Sequence, residues 1–428
     1  MVSLPHWPRV GEVVIKNGLE RISKMLDALG NPEKIMPPVI HFAGTNGKGS
    51  TVAFVQSILE SAGLKVHVYT SPHLLRYNER IRLCGKEIED GYLYSLLEEC
   101  RIVSERNNID VSFFEGTTAV AFLAFAREKA DVVLLETGLG GRLDATNVIT
   151  NPLVSVITPI SFDHMAILGH DISMIAYEKA HIIKPNIPCV VSMQIPQVHT
   201  VIERYAELQN ALLLRYEYDF GCQIRNDGFT YMSDTMVLDL AKPSLQGYHQ
   251  FINASTAIAA VGCLSDFKIN DIDYKRGIAN AKWKGRLQRI VQGELIKHIP
   301  KEWELWIDGA HNEGGARVIS SWLRDQSKEY KNVLILGMTK NRNINDFIDS
   351  FINTIEYVVG VPVYSEPISY RGEYIEERLT ELGVSSASEE SIAAALHNIV
   401  KKYGNDKMRV LITGSLFLVA DFFVANKI

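Results

Sequence analysis

Residues Pro38 to Gly63 read PVIHFAGTNGKGSTVAFVQSILESAG, and no other stretch of the chain limits the fold as strongly. Val39 to Ala43 is an apolar run suited to a buried strand. Gly44 to Thr51 (GTNGKGST) is a glycine-dense turn. Val52, Val55, Ile58 and Leu59 then recur at the spacing of one helix face. Strand, glycine turn and helix in that order belong to α/β architecture, the context in which a glycine-rich loop carries meaning. Glycines let the backbone curl with its N–H groups pointing inward, and the helix N-terminus adds partial positive charge, so such a turn suits phosphate. Lys48 supplies a full charge for the terminal phosphates of a nucleotide. The spacing departs from the common phosphate loop: two residues separate Gly44 from Gly47, and Gly49 stands between Lys48 and Ser50. The competing reading is a glycine-rich turn that carries an exposed lysine.

The chain around this unit is long enough, at 428 residues, for two or three domains. With 46% hydrophobic and 22% charged residues it can bury a core of normal size. A net charge of −6 gives no global attraction to nucleic acid or to an anionic membrane. Five scattered cysteines without a CxxC pair argue against a disulfide framework and a cysteine-based zinc site, and for a reducing, cytoplasmic compartment. The first residues, MVSLPHWPRVGEV, lack the continuous apolar segment of a signal peptide. The most apolar tract, Val410 to Ala425, contains Gly414, Ser415 and Asp421. It falls short of about 18 clean apolar residues and reads as a core element rather than a membrane span.

Residues 1 to 37 read as a helical lead-in, with Leu19, Ile22, Met25, Leu26 and Leu29 at helical spacing. After the glycine turn, apolar strands alternate with helical patterns. Lys65 to Thr70, Asp131 to Glu136, Pro152 to Thr158 and Pro188 to Met193 are the predicted strands. This alternation describes an α/β domain with a mostly parallel sheet, whose ligands sit beyond the carboxyl ends of the strands. The polar clusters Gly44–Thr51, Thr70–His73, Glu136–Asp144 and Asp163–His164 each follow an apolar strand, so they are expected to share one rim. Leu212 to Tyr218 and Phe229 to Leu238 suggest a small β meander on the flank. Trp283 to Gln288 reads as a hinge, and a second α/β unit follows with strands at Leu305–Ile307, Val333–Gly337, Tyr357–Val361 and Val410–Thr413.

Read as chemistry, Glu136, His164 and a hydroxyl from Ser71 make a mixed oxygen and nitrogen set. It suits a divalent ion beside phosphates, Mg²⁺ or equally Mn²⁺. The alternative is that Glu136 caps a helix start and His164 bonds a loop. Asp308-Gly-Ala-His311-Asn312 follows a strand, where a capped turn competes with function. Arg286 suits a phosphate, although a lone arginine is usually a surface residue. Lys179 reads by itself as a solvated helix lysine, and Trp283 as packing.

Together the motifs are far more specific. GTNGKGST, YTSPHLLRYNERIR, FFEGTTAVAFL, ETGLGGRLDATN, SFDHMAILG, IAYEKAHIIKP, GYHQFINASTAIAA, WKGRLQ, DGAHNEGG and TGSLFLVA follow one another in the order seen in the dihydrofolate synthase/folylpolyglutamate synthase family, and the chain resembles that family from about Ile15 to Ala420. The family shares its ATPase core with the Mur peptide ligases. The resemblance implies an N-terminal P-loop ATPase domain with a mostly parallel sheet and a small β flank over residues 1–282. It implies a C-terminal Rossmann-like α/β domain over 283–428, with the hinge near 281–288. It also implies ATP-dependent amide formation between L-glutamate and dihydropteroate or a reduced folate, through an acyl phosphate. A monofunctional dihydrofolate or polyglutamate synthase is the alternative within the class, and a nucleotide-dependent binding protein the alternative outside it. The small-molecule substrates would act on a monomer, with no nucleic acid or membrane partner.

Carried over by position, the resemblance assigns Gly47, Lys48, Gly49 and Ser50 to the phosphates, with Asn253, Arg286, Asp308 and His311 facing the nucleotide. Ser71 and Glu136 would hold one Mg²⁺, and Glu136 and His164 a second. Lys179 would be the family's carbamylated lysine, reversing its plain reading. Lys48, Lys179, His164 and His311 would serve catalysis. Ser112 and Leu143, Asp144 and Ala145 resemble the dihydropteroate contacts, with Gly18 and Leu19 a weaker match. There are departures. His181 replaces the usual glycine after Glu-Lys-Ala, where it is expected to crowd the turn beside Lys179. Lys284 replaces the usual proline of the hinge, Thr137 takes a commonly valine position, and Lys340-Asn341-Arg342-Asn343 lacks the family's aspartate.

Overall fold

The computed structural model describes residues 19–326 and 328–427. It divides into two compact units. One comprises the residues up to Ser244 together with Gln250–Lys282, the other Leu245–His249 and Trp283 onward.

The first unit is built on an eight-stranded sheet. Its strands are β1 (Val39–Ala43), β2 (Val66–Tyr69), β3 (Ile81–Leu83), β4 (Lys86–Glu87), β5 (Val132–Glu136), β6 (Val154–Ile157), β7 (Cys189–Val191) and β8 (Leu213–Arg215), in spatial order β4-β3-β2-β5-β1-β6-β7-β8. All neighbours run parallel except the β2–β3 and β3–β4 pairs. Strands β1, β2, β5, β6 and β7 are buried along their whole length, because helices cover both faces of a parallel sheet. That is why they read as continuous apolar runs. Strand β1 lies between β5 and β6 while the chain's next strand, β2, lies beyond β5. The end of β1 is therefore a point where the winding changes direction, the usual ligand crevice of such sheets.

The helix Lys48–Ser61 leaves the glycine turn with Val52, Val55, Ile58 and Leu59 buried. It packs on the helix Asp271–Asn280 so closely that a Cβ on Gly277 would lie 2.5 Å from the Ile58 Cα. On one side of the sheet, the helices Glu20–Ala28, Asp90–Arg106 and Phe113–Arg127 close a core that includes Met25, Leu93, Phe122 and Phe125. Further along the same face, Ile172–Ala180 and Pro196–Leu208 pack around Ile175 and Ile202.

A separate antiparallel sheet holds β9 (Phe220–Ile224), β10 (Gly228–Ser233) and β11 (Val237–Ala241). The predicted meander is thus present, but its first segment is a correction: within Leu212–Tyr218, Leu213–Arg215 pairs in parallel with β7 as the outer strand of the main sheet. A half-buried edge strand and a meander strand share the same short apolar pattern, so periodicity does not separate them.

The second unit has six strands: β12 (Gln288–Ile290), β13 (Glu304–Ile307), β14 (Lys331–Leu336), β15 (Tyr357–Gly360), β16 (Ser386–Ser388) and β17 (Met408–Thr413). They lie in the order β12-β13-β17-β14-β15-β16, parallel except for β12. Trp306, Trp322, Leu336 and Phe347 lie in its core. The tract Val410–Ala425 forms the buried strand β17 and much of the helix Leu416–Asn426, as its composition suggested. Among the described residues no helix is long and apolar enough to cross a membrane.

Candidate active site

In the first unit the predicted rim forms at the carboxyl ends of the adjacent strands β2, β5, β1 and β6. Gly44 follows β1 with a φ of +149°, and a Cβ there would lie 1.9 Å from the Thr158 hydroxyl at the end of β6, so the position requires glycine. The turn is then latched to the β6 side. Thr45 and Asn46 donate their backbone N–H groups to the Pro159 carbonyl, and the Asn46 side chain donates to the Ser161 hydroxyl at 2.9 Å. Gly47 precedes the helix Lys48–Ser61 in the left-handed conformation, leaving the first helical N–H groups at the turn.

Four predicted residues converge there. The Lys48 ammonium donates to the carbonyl oxygens of Gly44 (3.1 Å) and Thr45 (3.3 Å) and lies 3.9 Å from Glu136. Glu136, at the last position of β5, accepts the backbone N–H of Ser71 at 3.2 Å. Ser71 follows β2 in a loop that Glu79 organises by accepting the N–H groups of Leu74, Leu75 and Arg76. Lys179, on the helix Ile172–Ala180, is buried and donates to the Gly44 carbonyl at 2.8 Å. Burial, reinforced by the Lys48 charge, pushes its pKa down to about 7. This is not the solvated lysine of the plain reading.

His164 follows β6 with a φ of +51°, and its ring is more than a third exposed. Its Nε2 lies 3.8 Å from the Asp163 carboxylate. No group of three or more His, Cys, Asp or Glu side chains stands at metal spacing among the described residues. The Glu136 carboxylate is a hard oxygen donor held at the Ser71 main chain, and with the Ser71 hydroxyl it fits a divalent ion that takes its remaining ligands from phosphate and water.

Asn253 belongs to this unit as well. Its amide donates to Gln250 at 3.0 Å, and Gln250 in turn donates to the Ser50 hydroxyl at 3.4 Å. Gln250 was not singled out from the sequence; its buried amide, 200 residues from Ser50, leaves no periodic signal.

Three of the predicted acceptor-site residues, Leu19, Ser112 and Ala145, border one core. Leu19 and Ala145 border the same core cluster, and Ser112 caps the helix Phe113–Arg127 in a reciprocal capping box with Glu115. Glu115 also pairs with Arg21 at 3.1 Å. Gly18 lies outside the described residues.

The second unit holds its own cluster. The buried Asp308 carboxylate accepts the N–H groups of Leu287 and Ala310, each at 2.7 Å. Burial raises the Asp308 pKa, against the pull of Arg286. His311 Nδ1 lies 2.9 Å from the Gly309 carbonyl, and Asn312 caps the helix Glu313–Asp325.

The departures have plain places. His181 does not crowd Lys179: its ring turns to Tyr177 and Tyr205, with centroids at 4.3 and 4.2 Å. Lys284 lies over the Phe423 ring, and at the end of the Lys340–Asn343 stretch Asn343 caps the helix Ile344–Asp349.

A glycine turn opening a helix, a lysine and a carboxylate facing each other across the sheet's rim, and a second parallel-sheet unit define the ATP-dependent ligase class of the Mur ligases. Residues 42–261 match the Mur ligase middle domain, and residues 292–425 match the dihydrofolate synthetase C-terminal domain. The chain belongs to the dihydrofolate synthase/folylpolyglutamate synthase family. It is 34% identical to the dihydrofolate synthase/folylpolyglutamate synthase of Bacillus subtilis, over 95% of this chain and 94% of that protein. The Escherichia coli relative solved with DHPP and ADP superposes with a TM-score of 0.85 at 30% identity, covering 96% of each chain. A bifunctional relative solved with Mn, AMPPNP and L-glutamate gives 0.84 at 30% identity, covering 96% of this chain and 94% of that one.

Proposed function

We propose that this chain joins L-glutamate in amide linkage to dihydropteroate and to the terminal glutamate of reduced folates, with ATP cleaved to ADP and phosphate. The observation that carries the reading is the convergence of Lys48, Glu136, Ser71 and Lys179 on the Gly44–Ser50 turn, in a chain whose relatives were solved with ADP, AMPPNP, DHPP and L-glutamate.

A carboxylate is a poor electrophile. In the reaction one of its oxygens attacks the γ-phosphorus of ATP, and the bond to the β–γ bridging oxygen breaks, releasing ADP. The glutamate ammonium gives up one proton, its nitrogen attacks the acyl carbon, phosphate leaves, and the nitrogen gives up a second proton to form the amide. Bringing two anions together needs positive charge. Lys48 and the N-terminus of its helix supply it in this chain, with Gly47, Gly49, Ser50 and Asn253 around the phosphates. Ser71, Glu136 and His164 would hold Mg²⁺ or Mn²⁺, which neutralises charge on phosphate oxygens. Arg286, Asp308 and His311 serve the nucleotide from the second unit, in keeping with a ligase domain that begins near the hinge.

Lys179 is suited to carbamylation. Carbon dioxide adds to a neutral amine, and a pKa near 7 keeps a large share of Lys179 neutral at physiological pH. The product is an anion beside Lys48. All five cysteines are free thiols, in keeping with the reducing, cytoplasmic compartment that this reading assigns to the chain.

The test is ADP release with dihydropteroate and with tetrahydrofolate separately, each with and without L-glutamate. Glutamate-dependent release with both acceptors is expected. ATP turnover that ignores pterin and glutamate would overturn the reading, and release with one acceptor alone would reduce it to a monofunctional enzyme.

A further inference from the structure

The loop 138–148 is held from below by a side chain of the central strand. Asp144 is buried, and both of its carboxylate oxygens are occupied. One accepts the N–H groups of Gly138 (2.9 Å) and Leu139 (2.8 Å). The other accepts the N–H (3.0 Å) and the hydroxyl (2.6 Å) of Thr146. A carboxylate offers about four acceptor positions, so little is left for a ligand. The Thr146 oxygen meets His41 Nε2 at 2.9 Å. Because the Thr146 hydroxyl donates to Asp144, His41 must donate to Thr146, which fixes the imidazole as its Nε2–H tautomer. Complete burial keeps His41 neutral, and its Nδ1 has no hydrogen-bond partner among the described residues. His41 lies in β1 opposite Leu135 of β5 and Ser155 of β6, in a strand paired on both sides.

We propose that His41 and Thr146 are positioning residues which, through Asp144, fix the main chain of the 138–148 loop for the pterin end of the acceptor. The loop then recognises the pterin through its backbone and not through the Asp144 carboxylate. This rests on the assignment of Leu143–Ala145 to the acceptor. The same loop abuts the helix that carries Lys179: the Arg142 N–H donates to the Glu178 carbonyl at 2.8 Å, and a Cβ on Gly141 would lie 2.5 Å from that oxygen. A loop anchored at both places has one conformation in which to meet the acceptor.

The test compares Thr146→Val, which keeps the shape and removes the hydroxyl, with Thr146→Ser, which keeps the hydroxyl. Loss of a hydrogen bond to a buried charge predicts a KM for dihydropteroate raised roughly tenfold or more in Thr146→Val. The KM for ATP and kcat should stay within about twofold, and Thr146→Ser should remain near wild type. Amide exchange across the loop should quicken in Thr146→Val while the strands stay protected. An unchanged KM for dihydropteroate, a parallel rise in the KM for ATP, or a loop as protected as in the wild type would each overturn the proposal. If Thr146→Val does not fold, His41→Gln and His41→Leu replace it. Gln retains an N–H for the Thr146 oxygen and Leu does not, so equal dihydropteroate KM values in the two would overturn the relay. Wild-type ADP release with dihydropteroate is read first. Its absence would fall on the proposed reaction, while amide exchange still reports on the relay.

Discussion

The side-chain nitrogens of Lys48 and Lys179 both donate to one acceptor, the carbonyl oxygen of Gly44, at 3.1 and 2.8 Å. Two amines on a single oxygen repel each other when both are charged. Burial first, and the Lys48 charge after it, hold the more deeply buried Lys179 down at a pKa of about 7. The arrangement leaves Lys48 as the cation of the turn and Lys179 as the amine available for chemistry.

Lys48→Ala removes that cation and leaves Glu136 facing the phosphates alone. Glutamate-dependent ADP release is expected to fall by at least about a hundredfold. Activity near wild type in the coupled assay would detach the turn from catalysis.

Glu136→Gln keeps the shape of the side chain and an acceptor for the Ser71 N–H, but removes the charge. A drop of about a hundredfold or more is expected, with the concentration of Mg²⁺ or Mn²⁺ needed for half-activation shifted upward. Metal titrations of the variant and the wild type measure this. Unchanged half-activation would exclude Glu136 as a metal ligand.

Lys179 makes stability depend on pH with a defined sign. Its folded pKa of about 7 lies below the unfolded value of about 10.4, so between the two the unfolded chain binds more protons. The burden of the buried ammonium is therefore full below pH 7 and is relieved as pH rises toward 10. Lys179→Met should gain more stability over wild type at pH 6 than at pH 9, by roughly 2–3 kcal/mol. Urea unfolding at the two pH values reads the difference, and an equal gain at both would refute the depressed pKa.

Lys179→Ala should lose activity and recover part of it with short carboxylic acids, which restore an anion where a carbamate would stand. No recovery with acetate or formate at any concentration would weigh against the carbamate.

Gly277→Val is the control away from the rim. Its side chain would press on the Ile58 backbone and cost about 1–3 kcal/mol of stability. Thermal unfolding should show the loss while KM for ATP in the folded fraction stays unchanged.

The sequence by itself determined what repeats locally. Buried parallel strands leave continuous apolar runs, amphipathic helices leave a 3.6-residue period, and Gly44–Ser50 announces a phosphate turn. The order of motifs then identified the family, because many short patterns in one order are specific where each alone is not. Lys179 shows the limit of local reading: a helix lysine looks solvated until the fold buries it under the turn.

Tertiary structure alone decided the rest. Leu213–Arg215 became an edge of the main sheet rather than part of the meander, since partner choice for a short strand depends on which edge is free. The His41–Thr146 contact spans 105 residues and the Gln250–Ser50 contact 200, and neither leaves a period or a spacing to read. A hydrogen bond between distant segments acts through distance in space. Only the packed sheet brings His41 beneath the Asp144 loop and both lysines to the Gly44 oxygen.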